Sequence, residues 1–386
     1  MRKGWEYKRF DEVFDLQMGK TPDRKNPDYF GGNNVWVSIR DLGDKEIADS
    51  NEHITDLAVS NSNIRKVKKG TVIMSFKLTV GKCGIAATDL YTNEAIMAFN
   101  TKESFNINSS FLYYYLLCYH WVGSNKAVMG ITLNKATISK QYISIPPLST
   151  QLAIVSELDK INELIRLKKE QLKDFDNLAQ SLFYEMFGDP VENEKGWEMK
   201  KLGEIGEVKT GNTPSRSNDN FYNEKFIEWI KTDNIRNEQM NPTTAAEYLS
   251  RDGAECGRIV SKGSILVACI AGSLSSIGKC CITTKNVAFN QQINAITPYG
   301  DFCNSIYLYE LIRNSYKYIQ QNATTGMKHI LSKSVFEKMK FPLPPLSLQR
   351  LFAQRIEQIE REKTEVQKSI QDLETLLASR MQYWFE

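Results

Sequence analysis

Residues 4–26 read GWEYKRFDEVFDLQMGKTPDRKN, and residues 196–218 read GWEMKKLGEIGEVKTGNTPSRSN. Gly4, Trp5, Glu6, Lys8, Glu12, Gly19, Thr21, Pro22, Arg24 and Asn26 return 192 positions later as Gly196, Trp197, Glu198, Lys200, Glu204, Gly211, Thr213, Pro214, Arg216 and Asn218. Ten identities in 23 positions compare with roughly one or two for unrelated segments of average composition. Self-similarity at a fixed offset is read as two copies of one structural unit before any element is assigned.

The correspondence continues at slightly larger offsets, as insertions in surface loops produce. Lys69–Ile73 pairs with Lys262–Leu266, Gly81–Cys83 with Gly278–Cys280, and Asn93–Ile96 with Asn290–Ile293. Ile145-Pro146-Pro147-Leu148-Ser149 and Gln151 pair with Leu343-Pro344-Pro345-Leu346-Ser347 and Gln349. Between these blocks the copies diverge, so they share a scaffold and differ where selectivity is carried.

Each copy opens on short apolar runs bounded by Gly, Asn and Asp, namely 35–39, 71–76, 227–230 and 264–270, which reads as strands and turns. The tyrosine-rich stretches 111–119 and 306–318 read as short helices. After each Pro-Pro pair a long helix is expected, with Ser149 and Ser347 as N-caps; the first closes at Gly188-Asp189-Pro190. A seven-residue frame catches Ile154, Leu158, Ile161, Ile165, Leu172, Phe175, Ala179, Leu182 and Met186, with Lys168 polar. Moved by 198 it catches Phe352, Ile356, Ile359, Val366, Ile370, Leu373, Leu377 and Trp384, with Lys363 and Arg380 polar. Such spacing marks a helix–helix seam, and two matching stripes in one chain are expected to bury each other. The outward faces, with Lys168, Lys169, Lys173, Arg361, Lys363 and Lys368, are then left for other helices.

The expected fold class is therefore α+β: two similar α/β modules separated by two long helices packed as an antiparallel coiled coil, with pseudo-two-fold symmetry. The expected divisions are 1–146, 147–188, 189–345 and 346–386.

Composition limits what such a chain can be. It has 386 residues, 41% of them hydrophobic and 25% charged, enough for two cores. No run of eighteen uncharged apolar residues occurs, and residues 1–6 lack the apolar core of a secretory signal, so a cytoplasmic protein without a membrane association is expected. Seven cysteines without Cys-x-x-Cys or paired histidines signal neither a disulfide framework nor a zinc site. A net charge of +3 does not by itself announce a phosphate-binding protein.

The chemistry of an enzyme is also missing. No Asn-Pro-Pro-Tyr or Asp-Pro-Pro-Tyr occurs, and Gly19-Lys20-Thr21 lacks the upstream glycine of a phosphate loop. Glu6-x-Lys8 and Glu198-x-Lys200 recur symmetrically and read as scaffold. His53, His120 and His329 are scattered, and Cys280-Cys281 read as strand packing. Catalytic and metal-ligating residues are expected to be absent.

Two like modules opposed on a rod suit duplex DNA, whose local symmetry is two-fold, with each module reading one half-site across an untouched spacer. The doubled Gly-Trp-Glu and Gly-x-Thr-Pro, the Pro-Pro-Leu-Ser-x-Gln start of each long helix, and the Phe183-to-Pro190 exit resemble the specificity subunit of type I restriction-modification enzymes. The likeness covers essentially the whole chain. It implies two target-recognition domains reading different halves of a bipartite, asymmetric site. It also implies helices that dock two methyltransferase subunits, with restriction subunits as further partners. S-adenosylmethionine, Mg and ATP then sit on those partners and none on this chain. The rival readings are the recognition subunit of a two-sided type II enzyme and, in a different class, a coiled-coil protein-binding adaptor.

Base readout calls for Arg, Lys, Asn, Gln, Ser and Thr on loops held by a rigid scaffold. The candidates in the first copy are Lys20, Thr21, Arg24, Arg40, Lys77, Lys82, Lys126 and Lys135. Those in the second are Thr213, Arg216, Lys231, Arg236, Ser273, Lys279, Gln291 and Lys328. The basic run 65–69 reads equally as a phosphate contact or as a strand edge defended by charge.

Overall fold

In a computed structural model, every residue is described except 1, 3, 122–124, 128–129 and 237–238, and the side chains of 125–127 and 130–132. The chain forms two compact units. One comprises Met1–Lys168 with Ser369–Glu386, the other Lys169–Lys368. The two long helices, Leu148–Phe187 and Leu346–Phe385, therefore each contribute one part to each unit.

In the first unit a five-stranded sheet runs in the order Phe14–Met18, Ile96–Thr101, Val72–Ser75, Cys83–Ala86 and Glu46–Ile47. A smaller sheet centres on Phe30–Val37, parallel to Tyr91–Thr92 and antiparallel to His53–Ile54. The second unit repeats the plan. One four-stranded sheet runs Gly206–Thr210, Ile293–Pro298, Ile265–Ala268 and Cys280–Ile282. A second has Ile227–Ile230 parallel to Val287–Phe289 at its centre. The α+β class and the two similar modules expected from the repeat are thus present.

The central strands carry buried apolar residues on both faces, Val72 to Met74 and Ile265 to Val267 among them, because a helix covers one face and the second sheet the other. The covering helices are Ser109–Cys118 and Ser305–Asn314. The second of these stops short of the expected 306–318. The chain breaks at Ser315 and resumes as Tyr316–Gln321.

The serines expected to cap the long helices do not. Both helices already include them, and the Pro147 and Pro345 carbonyls accept from the amides of residues 150, 151, 348 and 349. The working residue of the motif is its glutamine. Gln151 Oε1 accepts from the Asn108 amide (2.9 Å), while its Nε2 donates to the Asn106 and Pro146 carbonyls (3.1 and 3.0 Å). Gln349 makes the same three bonds to Asn304, Phe302 and Pro344 (2.8, 3.1 and 2.8 Å). Both glutamines are buried, and each satisfies loop groups that water cannot reach.

Leu158, Ile161, Ile165, Ile356, Ile359, Val366 and Ile370 are buried, and Leu172, Phe175, Leu182, Leu373 and Leu377 are half-buried. The stripe does more than form a seam. Ile154 and Leu158 join the core of the first unit with Phe111, Leu112 and Leu377, and Phe352 and Ile356 join that of the second with Phe183 and Tyr307. Within the second unit, Phe183 and Phe187 meet Phe352 edge-to-face (centroids 5.8 and 5.1 Å apart), whereas the earlier Asp176 meets the later Lys363 (3.1 Å). The two helical segments of that unit therefore run antiparallel. Lys363, expected on an outward face, is a correction: it is 8% exposed. It is held by Asp176 and Glu360, because a charge inside a stripe must be paired to be buried.

Candidate nucleic-acid interface

The strand registers bring the scattered candidate loops to one end of each unit. In the first, Met18 stands opposite Met97, Ser75 opposite Ile96, and Met74 opposite Cys83. The loops that leave these residues, 19–26, 76–82 and 93–95, therefore share one sheet end. Val37 reaches the same end beside Thr92 and hands the chain to Arg40. The Leu133 amide donates to the Phe76 carbonyl (2.9 Å), which places Lys135, exposed at the start of a short helix, next to that loop. Lys126 has its side chain outside the described residues.

The second unit repeats this arrangement. Thr210 stands opposite Asn294, Ala268 opposite Ile293, and Ile230 opposite Phe289. Loops 211–218, 231–236, 269–279 and 290–292 converge there. The Ala271–His329 pair and the Leu331 amide on the Cys269 carbonyl (2.8 Å) add the loop with Lys328. Lys20, Arg40, Lys82, Thr213, Arg236, Ser273, Gln291 and Lys328 are exposed at these ends, and Lys77, Lys231 and Lys279 are half-buried.

Three residues of the repeated Gly-x-Thr-Pro-x-Arg have distinct jobs. A Cβ on Gly19 would lie 2.2 Å from the Asn93 and Thr92 carbonyl oxygens, and on Gly211 2.1 Å from that of Asn290. Only glycine lets the loop backbone lie against the turn. There Gly19 and Lys20 donate to the Ile96 and Thr92 carbonyls, as Gly211 and Asn212 do to Ile293 and Phe289. The threonine hydroxyl donates to the tip of that turn, Thr21 to Glu94 and Thr213 to Gln291.

The arginine is an anchor. Arg24 makes a bidentate pair with Glu52 (2.7 and 2.9 Å) and lies over the rings of Phe30 and Trp36, 5.1 Å from each. Arg216 pairs with Glu247 (2.5 Å) over Tyr222 and Trp229 (4.4 and 4.8 Å). The indoles reach back, Trp36 Nε1 to the Lys20 carbonyl (3.1 Å) and Trp229 Nε1 to that of Asn212 (3.2 Å). Lys231 is a second cation on Glu247. The Arg24 hydrogen bonds hold the Glu52 carboxyl below the ordinary range, and Lys231 with Arg216 does the same for Glu247. Both glutamates therefore stay ionised at neutral pH and keep their cations.

The turn bearing Arg40 is equally fixed. Ser38 and Asn51 each donate twice to Asp41 (2.6 to 2.9 Å). Burial pushes the Asp41 carboxyl up, but these bonds outweigh it and hold it low. The basic run 65–69 lies beside the first strand of the sheet, where the Arg65 and Lys66 carbonyls accept from Gln17 Nε2 (3.1 and 3.3 Å). Lys66 pairs with Asp89 (3.7 Å), and Gly70, next in the chain, donates to the Ala86 carbonyl at the opposite end of the sheet.

Sequence reasoning missed Trp36, Trp229, Glu52, Glu247, Glu94 and Leu78. Extending the repeat would have paired the two tryptophans, but the glutamates sit in divergent stretches. Leu78 is 60% exposed with φ +61 in the loop 76–82, a conformation costly for a side chain of its size. Glu6–Lys8 and Glu198–Lys200 are ion pairs (4.0 and 2.5 Å) on outer strands. Cys280 and Cys281 are buried in a strand, their thiols pushed up by desolvation. Among the described residues no group of His, Cys, Asp and Glu is placed to hold a metal ion, and no helix is long and apolar enough to cross a membrane.

The family model "Type I restriction modification DNA specificity domain" matches residues 2–174 and 194–375, one copy of the repeat in each. The MjaIX type I restriction enzyme specificity subunit of Methanocaldococcus jannaschii is 29% identical over 237 residues, 55% of this chain and 54% of that protein. The HindI specificity subunit of Haemophilus influenzae is 32% identical over 166 residues, 42% of this chain and 35% of that one. The chain thus spans about half the length of the first of these relatives and about a third of the second.

Two solved structures share the fold. One, from work on the complex assembly and conformational transition of the type I R-M system, has a TM-score of 0.67 at 17% identity and covers 100% of this chain and 98% of its own. The other, the S subunit of a type I restriction-modification system from M. genitalium, has a TM-score of 0.53 at 13% identity, covering 98% and 95%.

Proposed function

Because the chain belongs to the family of type I restriction modification DNA specificity domains, we propose that it chooses the DNA site for a restriction-modification complex and performs no catalysis itself. Each module reads one half of a bipartite, asymmetric target. The observation that carries this reading is the twin loop ends: the same Gly, Thr, Arg, Trp and Glu fix the loops, while the outermost side chains differ between units. A shared scaffold with divergent tips suits two half-sites of different sequence.

The long helices dock two methyltransferase subunits, and restriction subunits join the complex. Exposed Leu164, Leu167, Leu351 and Leu376 on these helices supply apolar surface for that docking. S-adenosylmethionine, Mg and ATP belong to the partners.

Binding to random duplex DNA, by the chain alone and with its methyltransferase, should weaken linearly in log K against log salt. A flat line overturns the reading. Exchanging residues 1–146 for those of a relative should change one half of the methylated sequence, and a change in both halves or in neither breaks the two-module assignment.

A further inference from the structure

We infer that the tip residue of one β-turn in each module, Glu94 in the first and Gln291 in the second, is a base-reading position, and that the two read different base classes. This rests on the DNA-recognition reading above. The turns are the same object built twice. Asn93 and Asn290 each donate their amide to the end of the neighbouring strand, to the Val37 and Ile230 carbonyls (3.0 Å in both). Their side-chain oxygens accept from the amides of Ala95 and Gln292 (3.0 and 3.1 Å). Ile96 and Ile293 close the turns on the Asn93 and Asn290 carbonyls (3.2 and 3.1 Å). Position 94 or 291 is thus the exposed corner of a rigid turn, at the centre of the sheet end where the loops meet.

The side chain at that corner is also aimed. Thr21 and Thr213 donate into its oxygen, and the glycine contact presses the same loop against the turn. One face of each carboxylate or amide oxygen is used by the hydroxyl, and the rest projects from the surface. Rigid presentation by a supporting shell is what a specificity residue requires.

Chemistry then separates the two modules. Glu94 is acceptor-only when ionised. Beside a phosphate backbone a carboxylate is repelled unless it takes a hydrogen bond from a base amino group, which the major groove offers on cytosine N4 and adenine N6. Guanine and thymine present acceptors at the same place and are rejected. Arg24, whose field includes Glu94, offsets part of the repulsion. Gln291 carries a donor as well as an acceptor, the pair that matches adenine N6 and N7. The first module therefore reads an amino-bearing base, cytosine foremost, and the second reads adenine.

The test uses the full chain with its methyltransferase, a randomised duplex pool, selection and sequencing, for wild type, Glu94→Gln and Gln291→Glu. Both variants keep an oxygen for the threonine hydroxyl, and unchanged melting temperatures establish that the turn persists. Glu94→Gln should move one base position of the first half-site toward adenine, and Gln291→Glu should move one position of the second toward cytosine. Each shift should be roughly ten- to a hundred-fold in relative affinity. Glu94→Ala should flatten the preference at the same position without altering the salt slope. Variants that keep wild-type preferences at every position, or that change the other half, overturn this assignment while leaving the recognition reading intact. Failure of the wild-type complex to bind the pool in a salt-dependent way overturns the recognition reading itself.

Discussion

In the first module the loop anchor is one glutamate hydrogen-bonded by one guanidinium, Glu52 with Arg24, whereas in the second Glu247 holds two cations, Arg216 and Lys231. A similar contrast appears where the helices meet the sheets. The first unit keeps Glu157 half-exposed, hydrogen-bonded by Arg380 and by Trp384 Nε1 (2.9 Å). The second buries Glu310 to 2% exposure, with Arg313 at 3.5 Å and the Asp176–Lys363–Glu360 cluster beside it. Similar backbones therefore carry unequal electrostatics: in the second copy Glu247 holds two cations and Glu310 is buried, whereas Glu52 and Glu157 of the first each hold one cation and stand half-exposed.

The largest effect is expected from removing the cation of the buried cluster. Arg313→Met leaves the Glu310 carboxylate in a dry site and should cost about 3 kcal/mol, since breaking a buried pair costs more than its formation contributes. Arg380→Met should cost far less, because water replaces the lost partner of Glu157. Equal losses in a denaturant titration would refute the contrast.

Next comes the glycine contact. Gly211→Ala and Gly19→Ala each press a Cβ into a backbone carbonyl and should cost about 1–3 kcal/mol by overpacking. Each should weaken recognition of its own half-site only. Loss of both halves from one substitution would show that the loops are not independent.

Anchor redundancy predicts a smaller difference. Arg24→Gln should destabilise by about 1 kcal/mol, the sum of an exposed pair and a stacked cation, and Arg216→Gln by less because Lys231 remains on Glu247. A larger loss at Arg216 would mean that its ring contacts, not its charge, hold the loop.

Titration sharpens the comparison further. Burial raises the Glu310 carboxyl, so the folded chain holds that proton more tightly than the unfolded one. Its contribution to stability therefore falls as pH rises through the ordinary carboxylate range and above. Glu52 and Glu247, held low by their cations, contribute above that range and lose it as pH falls. The stability of Glu310→Gln relative to wild type should consequently grow from pH 4 to pH 7 in thermal melts, and a gap independent of pH would contradict this.

The smallest difference concerns thiols. Cys256 is exposed in the second unit, whereas Cys118 in the first is half-buried and pushed up to about 11 by desolvation. A thiol reagent at neutral pH should modify Cys256 first. Prior labelling of Cys118, read by mass spectrometry of peptides, would count against the packing around it.

Much of this was legible in the chain because repetition is local. The Gly-x-Thr-Pro-x-Arg block announced itself twice, and the long helices were visible from a stripe that needs only its own period. The candidate cations were harder to read. Arg24 and Arg216 look like DNA ligands in sequence, yet their partners lie 28 and 31 residues away, in stretches that no longer resemble each other. The capping serines were misread for a related reason. Their sequence position suits a cap, but the proline carbonyls open the helix, and the glutamine two residues on is bonded to a loop more than 40 residues upstream.

The sequence by itself determined that the molecule is built from one unit written twice, with a long helix after each copy and glycine where a backbone must pass close to another. These follow from identity, period and steric size, which are properties of neighbouring residues. Only the tertiary structure decided which arginines are already paired, which turn stands at the centre of each loop end, and that Glu94 and Gln291 occupy the same corner. Those outcomes depend on strand register, which places residues more than 70 positions apart within one hydrogen bond of each other, and no local pattern in the chain specifies it.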